Sequence, residues 1–276
     1  MLPPYTYQTL CKELSQRATI RTFSDFSYVA GAKAFEIEPK ELQGKKTVML
    51  RHDVDHYPEL AYQMACTEAQ LGIRSSYFIL TTDVATKWWA DKALRKKYLS
   101  LILDMQEMGH EIGLHYDFFG DYFSDGILPK TSIKNILTVF RDEGLRIYGA
   151  AAHGSKRMRV LLNTPGTVPY PEDFLNYKVW AESRVEAKEL TVGARTLKIP
   201  ALSLKEYDLH YETYLMTKDW YFSDSGGNFW LYGNGEHVFE TLEKSNTPPY
   251  NMVSKMREGE VMQILAHPIW WKGNFQ

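Results

Sequence analysis

The chain has 276 residues, of which 44% are hydrophobic and 24% are charged, an ordinary composition for one large globular domain. Its formal net charge is -2 and no basic run is longer than Arg95-Lys96-Lys97, so charge gives no indication of a nucleic-acid partner. Cys11 and Cys66 are too few for a disulfide framework and fit no zinc motif, so we interpret both as plain thiols.

No segment of the sequence has the character of a membrane or signal segment. The N-terminus lacks a continuous apolar run of the signal-peptide type, and no run of about 18 apolar residues occurs elsewhere. We therefore expect a soluble, cytoplasmic protein without membrane insertion. The sequence does not specify its oligomeric state.

The first clear strand and helix follow an N-terminal segment of weak periodicity. Residues 1–46 contain a predicted helix over Thr6–Arg17 and then turn signals, so we expect an N-terminal helical cap or extension. Residues 47–276 are predicted to form a single domain. That domain begins with a strand over Thr47–Asp55, followed by a helix that starts at Pro58 and is closed by Gly72.

The same pattern of strand and helix recurs twice. Predicted strands over Ser75–Thr81, Glu111–Asp117 and Leu145–His153 alternate with predicted helices over Lys87–Met108 and Thr131–Glu143. Helices that end at a glycine just before a strand indicate repeated right-handed βα units, which build a parallel sheet of the α/β class.

The second half of the chain is divided into short pieces by prolines. Lys178–Glu182 and Thr196–Leu204 are candidate strands there. Trp220–Asp224 and Glu260–His267 are predicted strands, and the second is a mostly apolar run that stops at Pro268.

Ionisable side chains collect at the C-terminal ends of the predicted strands. They are Asp53, Asp55, His115, Asp117, His153, Asp224 and His267. In a barrel of parallel strands these ends converge and carry the active site, so residues far apart in sequence are expected to meet. Each residue alone has a plainer explanation, such as a loop cap for Asp117, but the joint placement favours a functional site.

The first strand carries the densest charge, in the segment Arg51-His52-Asp53-Val54-Asp55. Because side chains alternate between the two faces of a strand, Arg51, Asp53 and Asp55 share one face, with His52 on the other. Two carboxylates at this spacing repel each other unless a metal ion, a shared proton or another cation balances them. The pattern predicts one of these at the end of the strand.

The motifs HDVD and GHEIGLH, with a late LAHP, resemble the polysaccharide deacetylases of the NodB-homology type, the fourth carbohydrate esterase family. The resemblance covers residues 47–268. It implies a distorted (β/α) barrel of about seven parallel strands and metal-dependent removal of an acetyl group from a sugar. It also implies that Asp53 is the general base, that Asp55 and His115 bind the metal, and that His267 is the general acid. Asp224 resembles the family's late Asp, which supports the catalytic pair.

Two positions depart from the family pattern. The usual second ligand His lies four residues after the first, and Phe119 occupies that position. His153, in AAHGS, is the best replacement, with Asp117 the runner-up because it shares a strand face with His115. The family's Arg-Pro motif is also missing, and Arg51 is expected to orient the base instead. The departures indicate a divergent branch, of the kind met in bacterial surface-polysaccharide and lipopolysaccharide biosynthesis.

Together these residues predict a metal-dependent carbohydrate N-deacetylase. Asp55, His115 and His153 are expected to hold one divalent ion, with zinc as the first candidate, and the substrate is expected to be an amino sugar, a nucleotide sugar or an oligosaccharide. Trp230, Trp270 and Trp271 are candidates for a sugar-stacking wall, with packing outside the barrel as the alternative. Two other functions stay open: a catalytically silent carbohydrate-binding protein on the same barrel, and a deformylase or other amidase with a different acyl group.

Overall fold

The computed structural model describes residues 5–25, 45–81, 87–164, 171–216, 218–225, 230–234, 242–244 and 248–275. The strands are β1 Thr19–Arg21, β2 Thr47–Val54, β3 Ser76–Leu80, β4 Glu111–Tyr116, β5 Ile147–Ala152, β6 Lys188–Val192, β7 Arg195–Ile199, β8 Tyr211–Glu212, β9 Trp220–Ser223, β10 Trp230–Asn234, β11 Leu242–Lys244 and β12 Val261–Ala266. The α-helices are α1 Tyr7–Arg17, α2 Pro58–Gln70, α3 Lys87–Ala90, α4 Lys92–Glu107, α5 Phe118–Asp125, α6 Pro129–Asp142, α7 Lys156–Leu161 and α8 Pro249–Met252.

The centre of the fold is a curled parallel sheet that forms a half-barrel flanked by helices. Its seven parallel strands lie in the order β9, β12, β2, β3, β4, β5 and β8. Strands β10 and β11 continue the sheet in antiparallel fashion beyond β9, and β1 pairs with the first half of β2. The predicted α/β class and distorted (β/α) barrel of about seven parallel strands are therefore confirmed.

Strand β2 is buried along its whole length, with β12 on one side and β3 on the other. A strand covered on both faces is typical of a parallel sheet between helices, and it explains the apolar run that precedes the charged residues. The central place of β2 brings its C-terminal end between those of its neighbours.

The predicted helix over Lys87–Met108 is two helices. Asp91 interrupts it, because its side chain accepts hydrogen bonds from the backbone N–H groups of Ala93 and Leu94 and so caps the start of α4. An aspartate satisfies these end groups only from an extended backbone conformation, which ends α3.

The prediction of a strand over Lys178–Glu182 is wrong. Turns of 3₁₀-helix over Asn176–Val179 and Ala181–Ser183 occupy that segment, and Trp180 makes only a single bridge with Leu202. Within the candidate strand Thr196–Leu204, only the first half is extended in a strand, as part of β7. This strand pairs with β6 outside the main sheet.

Helix α1 shares the core of the barrel. Its buried side chains are Tyr7, Leu10, Cys11 and Leu14. The backbone N–H groups of Tyr7 and Gln8 donate to the carbonyl oxygens of Asn274 and Phe275, each over 2.9 Å, so the start of the helix is fixed to the end of the chain. The segment that would join the expected cap to the barrel, residues 26–44, lies outside the described residues. Within the described part of the chain, no helix is both long enough and apolar enough to cross a membrane.

A buried polar network lies on the face of β2 that points away from the barrel interior. Glu68, from α2, is fully buried and accepts hydrogen bonds from the hydroxyl groups of Tyr7, Ser75 and Tyr77. His52 Nε2 lies 2.8 Å from Glu68 Oε1. Burial raises the pKa of Glu68, but the adjacent His52 and the other partners outweigh it and lower the pKa to about 2.

The lowered pKa of Glu68 predicts that the protein becomes less stable in acid. Because the folded-state pKa of Glu68 lies below its ordinary value of 4.5, its contribution is fully present above pH 4.5 and is lost as the pH falls towards about 2. The loss is expected to be roughly 3 kcal/mol. It is measured by denaturant unfolding of the wild type and of Glu68→Gln across this range. The exposed Glu172→Gln is the control, and equal pH dependence in wild type and Glu68→Gln would contradict the expectation.

Candidate metal centre

Three side chains from the ends of β2, β4 and β5 meet inside the half-barrel. Asp55 follows β2, His115 lies near the end of β4 and His153 follows β5. One ligand atom from each lies within 4.8 Å of the other two. His115 Nε2 is 3.2 Å from Asp55 Oδ1, and His153 Nε2 is 4.0 Å from Asp55 Oδ2. These three residues form a candidate metal-binding triad.

The donor atoms of the triad fit a cation. His115 Nδ1 donates to the carbonyl oxygen of Ala151 over 2.7 Å, which directs Nε2 towards Asp55. Asp55 Oδ1 is buried, and the His115 Nε2 donor that lies 3.2 Å from it has poor geometry for a hydrogen bond. Burial raises the pKa of Asp55, but the three histidines around it outweigh burial and lower it. A positive charge between these groups is therefore favoured, from a metal ion or from a proton on His115.

Asp53 is held by Arg51 from the same strand. Arg51 Nε and Nη2 donate to the two carboxylate oxygens of Asp53, each over 2.7 Å, and Nη1 donates to Thr213 Oγ1 over 3.0 Å. The guanidinium is fully buried between the rings of Phe78 and Tyr214. Burial raises the pKa of Asp53, but the Arg51 charge outweighs it and lowers the pKa. Asp53 is thus a carboxylate near neutral pH and can accept a proton.

His267, which is partly buried, and the buried Asp224 form a second pair at the ends of β12 and β9. His267 Nδ1 donates to Asp224 Oδ1 over 2.6 Å, and the His267 backbone N–H donates to the same carboxylate. Burial lowers the pKa of His267, but the Asp224 charge outweighs it and raises the pKa to about 9. His267 is therefore an imidazolium at neutral pH. Its Nε2 lies 3.9 Å from Asp55 Oδ2.

One open cavity of about 470 Å³ is lined by the ionisable residues Asp53, Asp55, His115, His153 and His267. Arg51 and Asp224 do not line it. Ala152, Leu265 and Ile269 supply apolar wall, and Trp270 lies at its edge with 36% of its surface exposed. Trp271 is fully buried and does not line the cavity, so it cannot belong to a sugar-stacking wall. The side chain of Trp230 lies outside the described part of the chain.

Asp117 and Phe119 have structural roles at the start of α5, which follows β4 directly. Asp117 caps α5 through the backbone N–H of Gly120 and accepts further hydrogen bonds from Ser155, Asn176 and Arg157. Burial raises its pKa, but the charges of nearby His153 and Arg157 outweigh it and lower the pKa. Phe119 is buried beside Phe123 and Phe174. Because the Asp117 carboxylate is already occupied by these donors, the geometry favours His153 as the third ligand.

Several other residues that line the cavity are not among those that the sequence predicts for the site. Tyr214 follows β8, whose two residues are too short to give a periodic signal. Tyr221 and Ser223 lie on β9, where strict alternation along the predicted strand would have placed both on one face. Lys156 also lines the cavity, and no sequence motif marks it.

Comparison of the chain with models of protein families, with curated proteins and with solved structures gives no match. The function is therefore argued from the geometry and chemistry of the site.

His153→Ala is expected to lower metal occupancy at least about tenfold, because it removes one of three protein ligands. Bound metal is measured by elemental analysis after equilibration with a limiting concentration of zinc. The matched control is His56→Ala, which removes an imidazole from the same cavity but not from the triad. Equal occupancy in the wild type and His153→Ala would exclude His153 as a ligand.

Proposed function

We propose that this protein is a metal-dependent hydrolase that cleaves an N-acyl amide, with N-acetyl as the first candidate, on an amino sugar or nucleotide sugar. One observation carries the proposal. A deprotonated carboxylate, Asp53, and a protonated imidazole, His267, line the same cavity as a candidate metal triad. A base, an acid and a cation site together are what metal-dependent hydrolysis of an amide uses.

The donor set determines what the metal would contribute. One carboxylate and two imidazoles suit zinc best among divalent ions, although other divalent ions can occupy such a site. When bound by Asp55, His115 and His153, the ion supplies Lewis-acid polarisation of the amide carbonyl and lowers the pKa of a water molecule to about 7.

Asp53 is suited to take the proton from the attacking water. Its charge is retained near neutral pH, and the two hydrogen bonds from Arg51 fix both carboxylate oxygens. The orientation of the base is therefore set by a buried guanidinium that cannot lose its proton.

His267 is suited to give a proton to the departing amine. Because Nδ1 is engaged by Asp224, Nε2 is the nitrogen that can donate. The amide C–N bond breaks as the amine nitrogen takes this proton, and the acyl group leaves as a carboxylic acid, whose hydroxyl oxygen comes from water. Only an acid that is already protonated can complete this step at neutral pH.

A sugar substrate is supported by the resemblance of HDVD and GHEIGLH to the NodB-type polysaccharide deacetylases. Trp270, at the edge of the cavity, offers a ring on which a sugar can stack. On the same resemblance we propose a cytoplasmic role in bacterial surface-polysaccharide biosynthesis. Phe119, at the position where the resembled family has its second ligand His, favours the catalytically silent alternative, but the placement of His153 beside Asp55 and His115 weakens that argument.

The test is the release of carboxylic acid by zinc-loaded protein. The substrates are an N-acetylated amino sugar, a nucleotide-linked N-acetylated sugar, an N-acetylated oligosaccharide and the corresponding N-formyl compounds. Acetate from an N-acetyl sugar is the expected product. Formate alone would favour the deformylase alternative, and sugar binding without release of any acid would favour the catalytically silent one.

A further inference from the structure

His267 is connected to a buried hydrogen-bond arrangement that extends outside the cavity. Its partner Asp224 is 2% exposed and uses Oδ1 for the imidazole, while the backbone N–H of His267 lies within 3.0 Å of both carboxylate oxygens. The indole N–H of Trp271 donates to Asp224 Oδ2 over 3.1 Å. The His267 backbone N–H is therefore shared by both carboxylate oxygens, whereas the imidazole holds Oδ1 and the indole holds Oδ2.

Trp271 is fixed in turn by the N-terminal helix. It ends the 3₁₀ turn Pro268–Trp271 that follows His267 directly, and its side chain is fully buried. The ring of Tyr7, in α1, packs edge-on against the indole with centroids 5.1 Å apart. The backbone N–H of Tyr7 donates to the Asn274 carbonyl, only three residues after Trp271. Helix α1 thus packs against the indole, which does not line the cavity.

Tyr7 is also linked, through His52, to the backbone of the residue before His267. The Tyr7 hydroxyl lies 3.1 Å from His52 Nε2, and His52 Nδ1 donates to the carbonyl oxygen of Ala266 over 3.2 Å. Ala266 is the residue before His267. Both the side chain and the backbone of His267 are therefore linked to α1 through buried partners.

We propose that Trp271 is a positioning residue for His267. Its indole N–H fixes the rotation of the Asp224 carboxylate, and that carboxylate fixes the direction in which His267 Nε2 faces the substrate. The proposal rests on the proposed function for the role of His267 as the acid. Without the indole, the hydrogen bonds that remain to the carboxylate from the described residues are those of the histidine's own N–H groups, and the imidazole could turn with it. The expected defect is in the reaction step, because the indole does not line the cavity where substrate binds.

The first test compares Trp271→Phe with Trp180→Phe. Both positions are fully buried, and Trp180 also donates one indole hydrogen bond, to Tyr116 Oη over 2.7 Å, away from the cavity. Trp271→Phe is expected to lower kcat about tenfold or more, with KM and bound zinc unchanged. Trp180→Phe is expected to lower Tm with kcat unchanged. Equal kcat losses in the two variants would overturn the proposal.

The second test does not depend on turnover. In the wild type, the His267 Nδ1–H proton, shared with Asp224, should give a low-field proton NMR signal that disappears in His267→Gln. Trp271→Phe is expected to shift or broaden this signal, and Trp180→Phe to leave it unchanged. An identical signal in wild type and Trp271→Phe would overturn the proposal even if no acid were released by any variant. The absence of acid release from zinc-loaded wild type would instead count against the proposed function.

A third variant tests the proposal even if Trp271→Phe does not fold. Site-specific replacement of Trp271 by benzothienylalanine keeps the bicyclic ring against Tyr7 and lacks only the N–H donor. It is expected to retain the Tm of the wild type and to reproduce the changes in kcat and in the NMR signal. Wild-type kcat together with a wild-type signal would overturn the proposal.

Discussion

Asp53→Asn is expected to lower kcat by about 100- to 10,000-fold while zinc stays bound, because it removes the general base and leaves the triad intact. The amide retains one oxygen that can accept from Arg51, so the guanidinium keeps a hydrogen-bond partner. Acid release and bound zinc are measured on the same sample. A loss of kcat together with loss of zinc would point to Asp53 as a ligand.

The matched control is Asp121→Asn. Asp121 is also buried and paired with an arginine, since its carboxylate accepts from Arg157 over 2.7 Å and from Ser132 over 2.6 Å, but it does not line the cavity. This variant is expected to lose stability and retain kcat. If Asp53→Asn retains wild-type kcat, the assignment of Asp53 as the base is wrong.

Arg51→Met is expected to lower the free energy of unfolding by about 3–5 kcal/mol, because it leaves the buried Asp53 carboxylate without its counter-charge. Methionine keeps an unbranched apolar stem but removes the guanidinium that lies over the rings of Phe78 and Tyr214, so the loss includes these contacts as well as the counter-charge. The free energy is measured by denaturant unfolding of the metal-free protein, which separates this effect from metal binding.

The double variant Arg51→Met with Asp53→Leu tests the cause of that loss. Removing both charges removes the uncompensated carboxylate, so the double variant is expected to be more stable than Arg51→Met alone. If the double variant is less stable than Arg51→Met, the loss arises from packing and hydrogen bonds around the arginine.

Alternation along a strand made much of the site predictable. Along β2 it separates Arg51 and Asp53 from His52, and the structure has Arg51 paired with Asp53 while His52 joins Glu68 on the other face. Because parallel strands converge at their C-terminal ends, Asp55 and His153 are predicted to lie close together although almost a hundred residues of sequence separate them. The structure has them in one triad.

What could not be predicted depends on contacts between distant segments. Thr213 accepts the third hydrogen bond of Arg51, yet it follows a two-residue strand that leaves no pattern in the sequence. An indole can stack in a cavity or fill a core, and the sequence does not distinguish the two. In the structure Trp271 is buried in the core, where it packs against Tyr7 of α1. Asp117 is equally ambiguous: its cap on Gly120 is local in sequence, but Ser155 and Arg157, which also bond its carboxylate, come from the segment after β5.

The most direct test of the central claim is acid release measured before and after removal of the metal. The substrate is the compound from which the zinc-loaded wild type releases most acid. Treatment with a chelator is expected to abolish acid release, and one equivalent of zinc per chain is expected to restore it. Reloaded Asp53→Asn should bind zinc equally and stay inactive. Acid release at the full rate from protein shown by elemental analysis to be free of metal would contradict the account.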